Sequence, residues 1–382
     1  MKKDKTYCEI SLHEHRKHKG KLAVRPKVRI KDKFDLSIYY TPWVSEPARV
    51  IAKDPEQAYE LTWKGNSVAV VSDGSAVLGL GNIGWLAWLP VMEWKAILFK
   101  KFADIDAVPI VLSTQDPEEV VKTVQNIAPG FGGINLEDIK APECFWIEDQ
   151  LKKTLDIPVF HDDQHGTAIV VLAWLINALK LVGKEPQKIK VVISGAGAAG
   201  IAIAKLLAAR GVKNIVVVDS RGAIYPSREG LNPYKEEIAR YNIKGEKWSL
   251  REVLKGADVF VGVSKPNLLT AEDIKKMADK PIVFALANPV PEIMPDEAKK
   301  WGAYIVATWR SDFPNQINNL LAFPGVFRGA LDWRIRQIEQ KHKLAAAKAI
   351  ADYVEEPTPE QIVPSVLDPN VAKVVAQAVM NA

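Results

Sequence analysis

Hydrophobic residues in the second half of the chain come in short runs that are apolar at almost every position. Runs rich in Val and Ile on both faces are typical of strands buried inside a parallel sheet. Segments with helical spacing separate most of them, for example residues 249–255 and residues 270–278, where Thr270 and Asp273 have the spacing of a capping box. The alternation predicts a doubly wound, Rossmann-like parallel sheet with strands over residues 189–194, 215–220, 258–264, 281–287 and 304–308.

The first half of the chain has a more mixed pattern. Residues 68–84 predict two short strands joined by a turn, and residues 96–102 and 107–112 predict two further strands. Residues 116–129 have helical spacing with acidic residues in the first turn. We therefore expect an α/β fold in which an N-terminal α/β substrate domain precedes the doubly wound domain.

The length of the chain also favours two domains. At 382 residues it exceeds the usual size of a single hydrophobic core. We place the domains at residues 1–160 and 161–382, the second one ending in C-terminal helices. The apolar segment 166–182, which we expect to begin at Gly166, predicts a buried helix connecting the domains, and residues 332–354 predict a long helix near the end.

The distribution of charge narrows the classes of partner that the protein is expected to bind. The net charge is +5, and residues 1–34 hold 12 Lys and Arg against 4 Asp and Glu. This basic arm lacks interleaved aromatic residues, so we expect it to pack on a neighbouring subunit of a homodimer or larger homo-oligomer rather than on nucleic acid. The apolar, uncharged stretch at residues 166–179 is too short to cross a bilayer.

The location in the cell is predicted from the N-terminus and the cysteines. The chain is charged from Lys2 onward and lacks the apolar segment of a signal peptide. Cys8 and Cys144 lie far apart and have no metal-type spacing, which indicates neither a disulfide framework nor a zinc site. We expect a cytoplasmic protein.

A glycine-rich turn follows the first strand of the predicted doubly wound sheet. Residues 195–200, GAGAAG, contain a complete GxGxxG with Gly195, Gly197, Ala198, Ala199 and Gly200, and a predicted helix follows. The first glycine permits the tight turn, the second lets the backbone approach a pyrophosphate, and the third allows close packing of helix and strand. In this setting the motif predicts a dinucleotide site.

The type of dinucleotide depends on the end of the next strand. Asp219 stands 19 residues after Gly200, where a carboxylate can bind the ribose hydroxyls and repels a 2′-phosphate. Arg221 could instead pair with such a phosphate. The sequence therefore modestly favours NAD and leaves NADP possible.

The segment HDDQHG, residues 161–166, places two adjacent carboxylates, Asp162 and Asp163, between apolar segments. Such a pair can cap a helix, or it can bind a cation. His161 and His165 also permit a zinc site. We consider zinc the weaker alternative, because carboxylates are available nearby and suit a harder ion.

Several segments together resemble malic enzymes of the compact bacterial and archaeal type. The resemblance runs from roughly residue 10 to residue 380 and implies oxidative decarboxylation of malate to pyruvate and CO2, with NAD(P) and Mg²⁺ or Mn²⁺. The segments that carry it, besides GAGAAG, are YYTPWVSEPA (39–48), SDGSAVLGLGNIG (72–84), FGGINLEDI (131–139), PVFHDDQHGTAIV (158–170), ALANPVPEIMP (285–295) and RSDFPNQINNLLAFPGVFRGALD (310–332).

The resemblance implies roles for acidic residues in two of these segments. Glu137, Asp138 and Asp163 match the ligands of the divalent ion, and hard ions of this kind prefer carboxylate oxygens. Asp162 matches the residue that holds the catalytic base and tunes its pKa.

The resemblance also implies the groups that move protons and bind ligands. Lys95 matches the base that accepts the hydroxyl proton of malate, and Tyr40 matches the acid that protonates C3 of the product. Asn288 and Asn318, with Asn319 assisting, match residues that contact the cofactor and the substrate carboxylate. Taken alone, Lys95 would be interpreted as a surface lysine, and the asparagines as ordinary turn residues.

Several tryptophans depart from the family pattern. Trp43, Trp94, Trp174 and Trp309 stand where the family usually has glycine, and Trp85, Trp88, Trp146 and Trp333 are also unusual. A glycine can supply a positive φ that tryptophan cannot. Two other functions therefore stay open: a metal-dependent oxaloacetate decarboxylase with a regulatory nucleotide site, and an inactive dinucleotide-binding protein.

Overall fold

The structure, a computed structural model, describes residues 2–77 and 80–382. Ten strands form two sheets, and helices surround both. The strands are β1 Ser67–Ser72, β2 Asp106–Val111, β3 Gly133–Leu136, β4 Val159–His161, β5 Lys190–Ser194, β6 Asn214–Asp219, β7 Gly222–Ala223, β8 Val259–Gly262, β9 Ile282–Ala285 and β10 Ile305–Thr308.

Sixteen α-helices and four short 3₁₀ helices complete the described part of the chain. The α-helices are α1 Lys2–His18, α2 Lys33–Tyr39, α3 Ser45–Lys53, α4 Ala58–Leu61, α5 Trp85–Ala103, α6 Pro117–Ile127, α7 Glu143–Thr154, α8 Asp162–Val182, α9 Ala198–Ala209, α10 Pro233–Ala239, α11 Leu250–Val253, α12 Ala271–Lys275, α13 Pro295–Lys300, α14 Phe323–Asp332, α15 Gln340–Asp352 and α16 Pro369–Met380. The 3₁₀ helices are Pro55–Gln57, Trp63–Asn66, Ala128–Gly130 and Asn319–Leu321.

The first sheet has four parallel strands in the order β2-β1-β3-β4. β1, β3 and β4 are buried along their whole length, as expected for strands covered by helices on both faces. Parallel strands place all their carboxyl ends at one edge. β3 and β4 lead directly from that edge into Glu137 and Asp162, so the sheet brings the predicted acidic residues together.

The second sheet has six strands in the order β10-β9-β8-β5-β6-β7, and only β7 runs antiparallel to its neighbour. This is the predicted doubly wound domain. From β5 the chain proceeds to β6 on one side and returns to β8 on the other, so the strand order reverses between β5 and β8. Doubly wound folds bind ligands in the crevice at such a switch point.

α8 is a core helix. It is long and apolar enough to cross a membrane by length and composition, but 78% of its most apolar window is buried inside the protein. It packs against α9 and α15. Trp174 lies fully buried on α8 and meets Phe284 of β9 edge to face, with 5.8 Å between ring centroids. α8 thus joins the two sheets through packed side chains.

The C-terminal helices return to the first half of the chain. α14 packs against α16 and α5, and Phe99 of α5 lies 4.7 Å from Phe323 and 5.3 Å from Phe327 between ring centroids. The predicted domain boundary after residue 160 stays a prediction: it would divide β4 and would separate α14 from the helix on which it packs.

Most strand predictions are confirmed, including all five of the second sheet, and so is the capping box of Thr270 and Asp273. One strand prediction is wrong, and another falls partly outside the described residues. Residues 96–102 belong to α5, because Trp85–Ala103 forms one continuous apolar helix. Of the second strand predicted within 68–84, residues 78 and 79 lie outside the described residues, and around them Val77 and Gly81 form only an isolated bridge.

Two helix predictions also differ from the structure. The single helix predicted over 332–354 is wrong at its start, because α14 ends at Asp332, Arg334 has a φ of +55°, and α15 begins at Gln340. The apolar helix does not open at Gly166 but four residues earlier, at Asp162. Both aspartates therefore lie in its first turn, where the positive end of the helix dipole stabilises their negative charge.

Candidate active site

A buried lysine and aspartate form the centre of the candidate site. Lys95 comes from the middle of α5 and Asp162 from the first position of α8. Lys95 Nζ donates to Asp162 Oδ2 at 2.5 Å and lies 2.9 Å from Glu137 Oε1. Lys95 is 8% exposed and Asp162 is fully buried. The predicted base and the residue predicted to hold it are therefore in direct contact.

Burial and opposite charge act against each other on Lys95. Burial lowers the pKa of its ammonium group, but the carboxylates of Asp162 and Glu137 together outweigh burial and raise that pKa above its ordinary value. Complete burial raises the pKa of the Asp162 carboxyl, although Lys95 opposes this shift. In this arrangement the proton rests on Lys95, and the hydrogen bond directs it at Asp162 Oδ2.

The Asp162 carboxylate is also held by the C-terminal half of the chain. Asn319 Nδ2 donates to Asp162 Oδ2 at 2.5 Å. Gly166 makes space for the other oxygen, because a Cβ at that position would lie 1.8 Å from Asp162 Oδ1. Asn318 caps the short 3₁₀ helix that begins at Asn319, since its Oδ1 accepts from Leu320 N at 2.9 Å.

Three further carboxylates adjoin this pair, and they are the predicted metal ligands. Asp138 N donates to Asp163 Oδ2 at 2.7 Å, which connects the loop after β3 to the first turn of α8. Burial raises the pKa of Glu137 to about 8 and raises that of Asp138 well above its ordinary value, and repulsion between the carboxylates adds to both shifts. Lys95 opposes both shifts without abolishing them.

The oxygens of these carboxylates do not converge on one point. Glu137 Oε1 faces Lys95, Asp138 Oδ2 accepts from Trp88 Nε1 at 2.6 Å, and Asp163 Oδ2 lies 3.0 Å from His161 Nε2. Within residues 2–77 and 80–382, no group of three or more His, Cys, Asp or Glu side chains is arranged so that it could hold a metal ion as it stands. The three residues are brought together, and their role as ligands stays a prediction.

The two histidines of the HDDQHG segment have hydrogen-bonding partners instead of a shared ion. His165 Nε2 contacts Glu148 Oε1 at 2.8 Å, and its Nδ1 lies 2.9 Å from Lys343 Nζ. Burial lowers the pKa of His165 to about 3, so its ring is neutral. Glu148 also accepts from the backbone N–H of His161 at 3.2 Å and from Gln164 Nε2 at 3.1 Å.

Glu148 and Trp88 were missed from the sequence. Both contact residues that the sequence analysis did identify: Glu148 orients the HDDQHG segment, and Trp88 donates a hydrogen bond to Asp138. Glu148 on α7 contacts the start of α8, and Trp88 on α5 contacts the loop after β3; no local motif encodes either contact. A spacing rule within a single helix could not have paired either residue with its partner.

Tyr40 is not part of the cluster within one chain. It follows the last residue of α2 and is 66% exposed. Its backbone N–H donates to Leu36 O at 3.0 Å. Asn288 is also exposed and lies in the loop after β9. The catalytic role predicted for Tyr40 and the cofactor role predicted for Asn288 stay predictions.

The glycine-rich turn has the predicted geometry. Gly195 has a φ of +119°, and Gly200 packs so closely that a Cβ would lie 1.8 Å from Gly195 O. A Cβ at Gly197 would meet no atom within 4 Å, so space is open beside the start of α9. Ala198 and Ala199 are the first two residues of α9, and their N–H groups point toward this space as helix N-terminal donors do.

The tryptophans do not require glycine-like backbone. In the described part of the chain no tryptophan has a positive φ. Trp43 and Trp94 are largely exposed, whereas Trp174 is accommodated inside the core. The tryptophans therefore do not impose the strained, positive-φ backbone that their positions in the sequence suggested.

Together, the doubly wound sheet, the glycine-rich turn and the buried lysine–carboxylate cluster define a dinucleotide-binding enzyme. The cluster lies between the two sheets, since Asn319 reaches it from the segment that follows β10.

Comparison with known proteins gives the family. Residues 19–152 match the malic enzyme N-terminal domain, and residues 164–382 match the malic enzyme NAD-binding domain. The bifunctional malic/malolactic enzyme of Bacillus subtilis is 55% identical over 98% of this chain and 92% of its own length. The NAD-dependent malic enzyme of Geobacillus stearothermophilus is 57% identical over 95% of this chain and 76% of its own length. The chain belongs to the malic enzyme family.

A solved structure agrees with this assignment. The NAD-dependent malic enzyme of Thermotoga maritima superposes with a TM-score of 0.94 at 52% identity, covering 97% of this chain and 98% of that one. Relatives named NADP-dependent malic enzyme are also similar, for example that of Halomonas elongata at 51% identity over 90% of this chain and 81% of its own length. The family therefore includes enzymes that depend on either dinucleotide.

Proposed function

We propose that the protein catalyses the oxidative decarboxylation of malate to pyruvate and CO2 with reduction of NAD(P). The observation that carries the proposal is the contact between Lys95 and Asp162, buried next to three more carboxylates and connected through Asn319 to the dinucleotide-binding half. A 2-hydroxy acid needs a base at its hydroxyl proton, and Lys95 is the buried amine available for that role.

Asp162 is the proton holder in this proposal. Lys95 acts as a base only when its amine is neutral, a state that its raised pKa opposes in the free protein, and Asp162 Oδ2 at 2.5 Å is the acceptor placed to take its proton. Burial raises the pKa of Asp162 and so favours its protonated form. Asn319 keeps Asp162 in this orientation, and Gly166 keeps space for its second oxygen.

We further propose that Glu137, Asp138 and Asp163 hold a divalent ion such as Mg²⁺ or Mn²⁺. Glu137 and Asp138, which are buried, and Asp163, which is partly exposed, adjoin one another and supply hard oxygen donors. Binding requires the oxygens to turn from Lys95, Trp88 and His161. When bound, the ion supplies a Lewis acid that stabilises negative charge during loss of CO2, and the nicotinamide accepts the hydride.

We propose a homodimer or larger assembly in which Tyr40 of the partner subunit completes the site. Phe34 at the end of the basic arm is 70% exposed and Trp43, nine residues later, is 63% exposed, which is an unusual apolar surface for a monomer. The basic arm lies along α5, where Lys21 N donates to Glu93 Oε2 at 2.9 Å, and Trp94 there is 51% exposed. A second copy of this chain could cover this surface.

A cytoplasmic location also remains a proposal. It is supported by the two cysteines, Cys8 exposed and Cys144 buried, which are free of any disulfide.

The test of the proposed function is absorbance at the reduced-nicotinamide band. Malate with Mn²⁺ and either NAD or NADP should give a rise in absorbance together with stoichiometric pyruvate. Chelation of the ion should abolish the signal, and addition of Mn²⁺ should restore it. Decarboxylation of oxaloacetate with no nucleotide reduction from malate would contradict the proposal.

A further inference from the structure

The cavity beside the glycine-rich turn has one acidic residue in its lining, and that residue is already paired. Asp219 Oδ1 accepts from Arg228 Nη2 at 2.7 Å and from Arg221 N at 2.9 Å, while Asp219 Oδ2 accepts from Lys235 Nζ at 2.9 Å. The Asp219 side chain is 10% exposed. A ribose 2′-hydroxyl would therefore compete with two cations for this carboxylate.

Three more cations line the same cavity of about 580 Å³: Arg221, Lys247 and Lys265. Arg221 Nη2 donates to Gly230 O at 3.1 Å, and Lys247 Nζ lies 5.0 Å from the centre of the Tyr225 ring. In the described part of the chain, neither Arg221 nor Lys247 forms an ion pair with a carboxylate. Their positive charge is thus available to a ligand.

The positions of these cations fit the ribose end of a dinucleotide. Arg221 follows β6 by two residues, and Lys247 lies beside β7, whereas the glycine-rich turn follows β5 at the other end of the cavity. A dinucleotide whose pyrophosphate rests at Gly197 directs its adenosine ribose toward the end of β6. The cations therefore surround the place of the ribose 2′-substituent.

We infer that Arg221 and Lys247 bind a 2′-phosphate and that the enzyme prefers NADP over NAD. This inference rests on the proposed function for its use of a nicotinamide dinucleotide. Arg228 and Lys235 neutralise Asp219, so it does not repel the phosphate, and charge-assisted bonds from a guanidinium and an ammonium favour a doubly charged group. The preference for NAD that Asp219 suggested from sequence thus gives way to the opposite expectation.

The test uses binding, which does not depend on turnover. Adenosine 2′,5′-bisphosphate and adenosine 5′-monophosphate are titrated calorimetrically into the full chain. The bisphosphate should bind at least roughly tenfold more tightly, and its affinity should fall more steeply with added salt. Arg221→Gln and Lys247→Gln should each remove most of that difference while affinity for the monophosphate stays within about twofold.

Lys244→Gln is the matched control. Lys244 is an exposed cation three residues before Lys247 and does not line the cavity, so its replacement should leave both affinities unchanged. Equal affinities for the two probes in the unaltered protein would overturn the inference, as would variants that weaken both probes equally.

Parallel assays with malate separate this inference from the proposed function. Selective binding of the bisphosphate without reduction of any nicotinamide would contradict the proposed function and support the inference. Reduction of NAD and NADP with equal kcat/KM, without selective binding of the bisphosphate, would support the proposed function and contradict the inference.

Discussion

Lys95 Nζ and Asp162 Oδ2 lie 2.5 Å apart although 67 residues separate them in the chain. The two side chains come from different helices, α5 and α8, and both are buried. Neither charge could remain at this depth without the other, because an unpaired buried charge is strongly unfavourable. The pair is therefore both a structural and a chemical unit.

Replacement of Lys95 by Ala should stop malate oxidation while dinucleotide binding persists. Loss of the general base is expected to lower kcat by at least about 100-fold. The measurement is reduced-nicotinamide absorbance, with calorimetric titration of the nucleotide on the same preparation. Lys101→Ala, which removes an exposed lysine from the same helix, is the control and should keep full activity. Unchanged turnover of the Lys95 variant would refute its role.

Gly166→Ala should destabilise the protein, contrary to the usual effect of alanine inside a helix. A glycine-to-alanine change in a helix interior normally stabilises by about 1 kcal/mol. At this position the added Cβ would lie 1.8 Å from Asp162 Oδ1, so we expect a loss of about 1–3 kcal/mol and a lower kcat. Urea unfolding measures the first effect and nucleotide reduction the second.

Gly130→Ala serves as the comparison for that variant, because a Cβ there would meet no atom within 4 Å. It should change neither stability nor turnover appreciably. Equal stability of the two alanine variants would show that Asp162 does not depend on the space at Gly166.

Glu148→Gln should lower the free energy of unfolding near neutral pH and should lower it less in acid. Burial alone would raise the pKa of Glu148, but the hydrogen bond from the neutral His165 ring and the positive charge of Lys152 outweigh it and hold that pKa well below its ordinary value of 4.5. A carboxyl with a depressed folded pKa stabilises fully above pH 4.5 and loses this contribution as the pH falls further. The variant should cost about 1–3 kcal/mol at pH 6 and progressively less below pH 4.5.

Urea unfolding at a series of pH values measures this difference. Glu355→Gln, which alters an exposed carboxyl outside the helices, should show little pH-dependent change relative to the unaltered protein. A Glu148 variant whose deficit stays constant from pH 6 to pH 3.5 would contradict the assigned contacts.

Trp94→Asp should separate the subunits. It would place a charge on an exposed apolar surface that we propose a second copy covers. Sedimentation should show a monomer at concentrations where the unaltered protein is a dimer, and kcat should fall because the partner's Tyr40 is lost. Val374→Asp, on the exposed side of α16, is the control and should remain dimeric. A monomeric unaltered protein would exclude the proposed assembly.

The second sheet was predictable because each of its strands carries its own local signal. Runs such as residues 189–194 are apolar at consecutive positions, and the glycine-rich turn has a fixed spacing that follows from steric demands at Gly195 and Gly200. α5 was partly misread because residues 96–102 are apolar enough for either a strand or a buried helix, and only their packing decides between the two.

The candidate site was predictable only as a set of residues. The resemblance named Lys95, Asp162 and Asn319, and the structure places them in contact. It did not reveal that the oxygens of Glu137, Asp138 and Asp163 face Lys95, Trp88 and His161, since such orientations depend on side chains contributed by separate helices. The pairing of Asp219 with Arg228 and Lys235 was hidden for the same reason.

The position of α14 has a consequence for biosynthesis. The rings that cover Phe99, those of Phe323 and Phe327, are translated more than 200 residues after it. A nascent chain must therefore expose this aromatic surface until α14 is synthesised, which favours capture by chaperones or association with other nascent chains. Truncated products that end before α14 should accumulate as aggregates rather than as a folded N-terminal half.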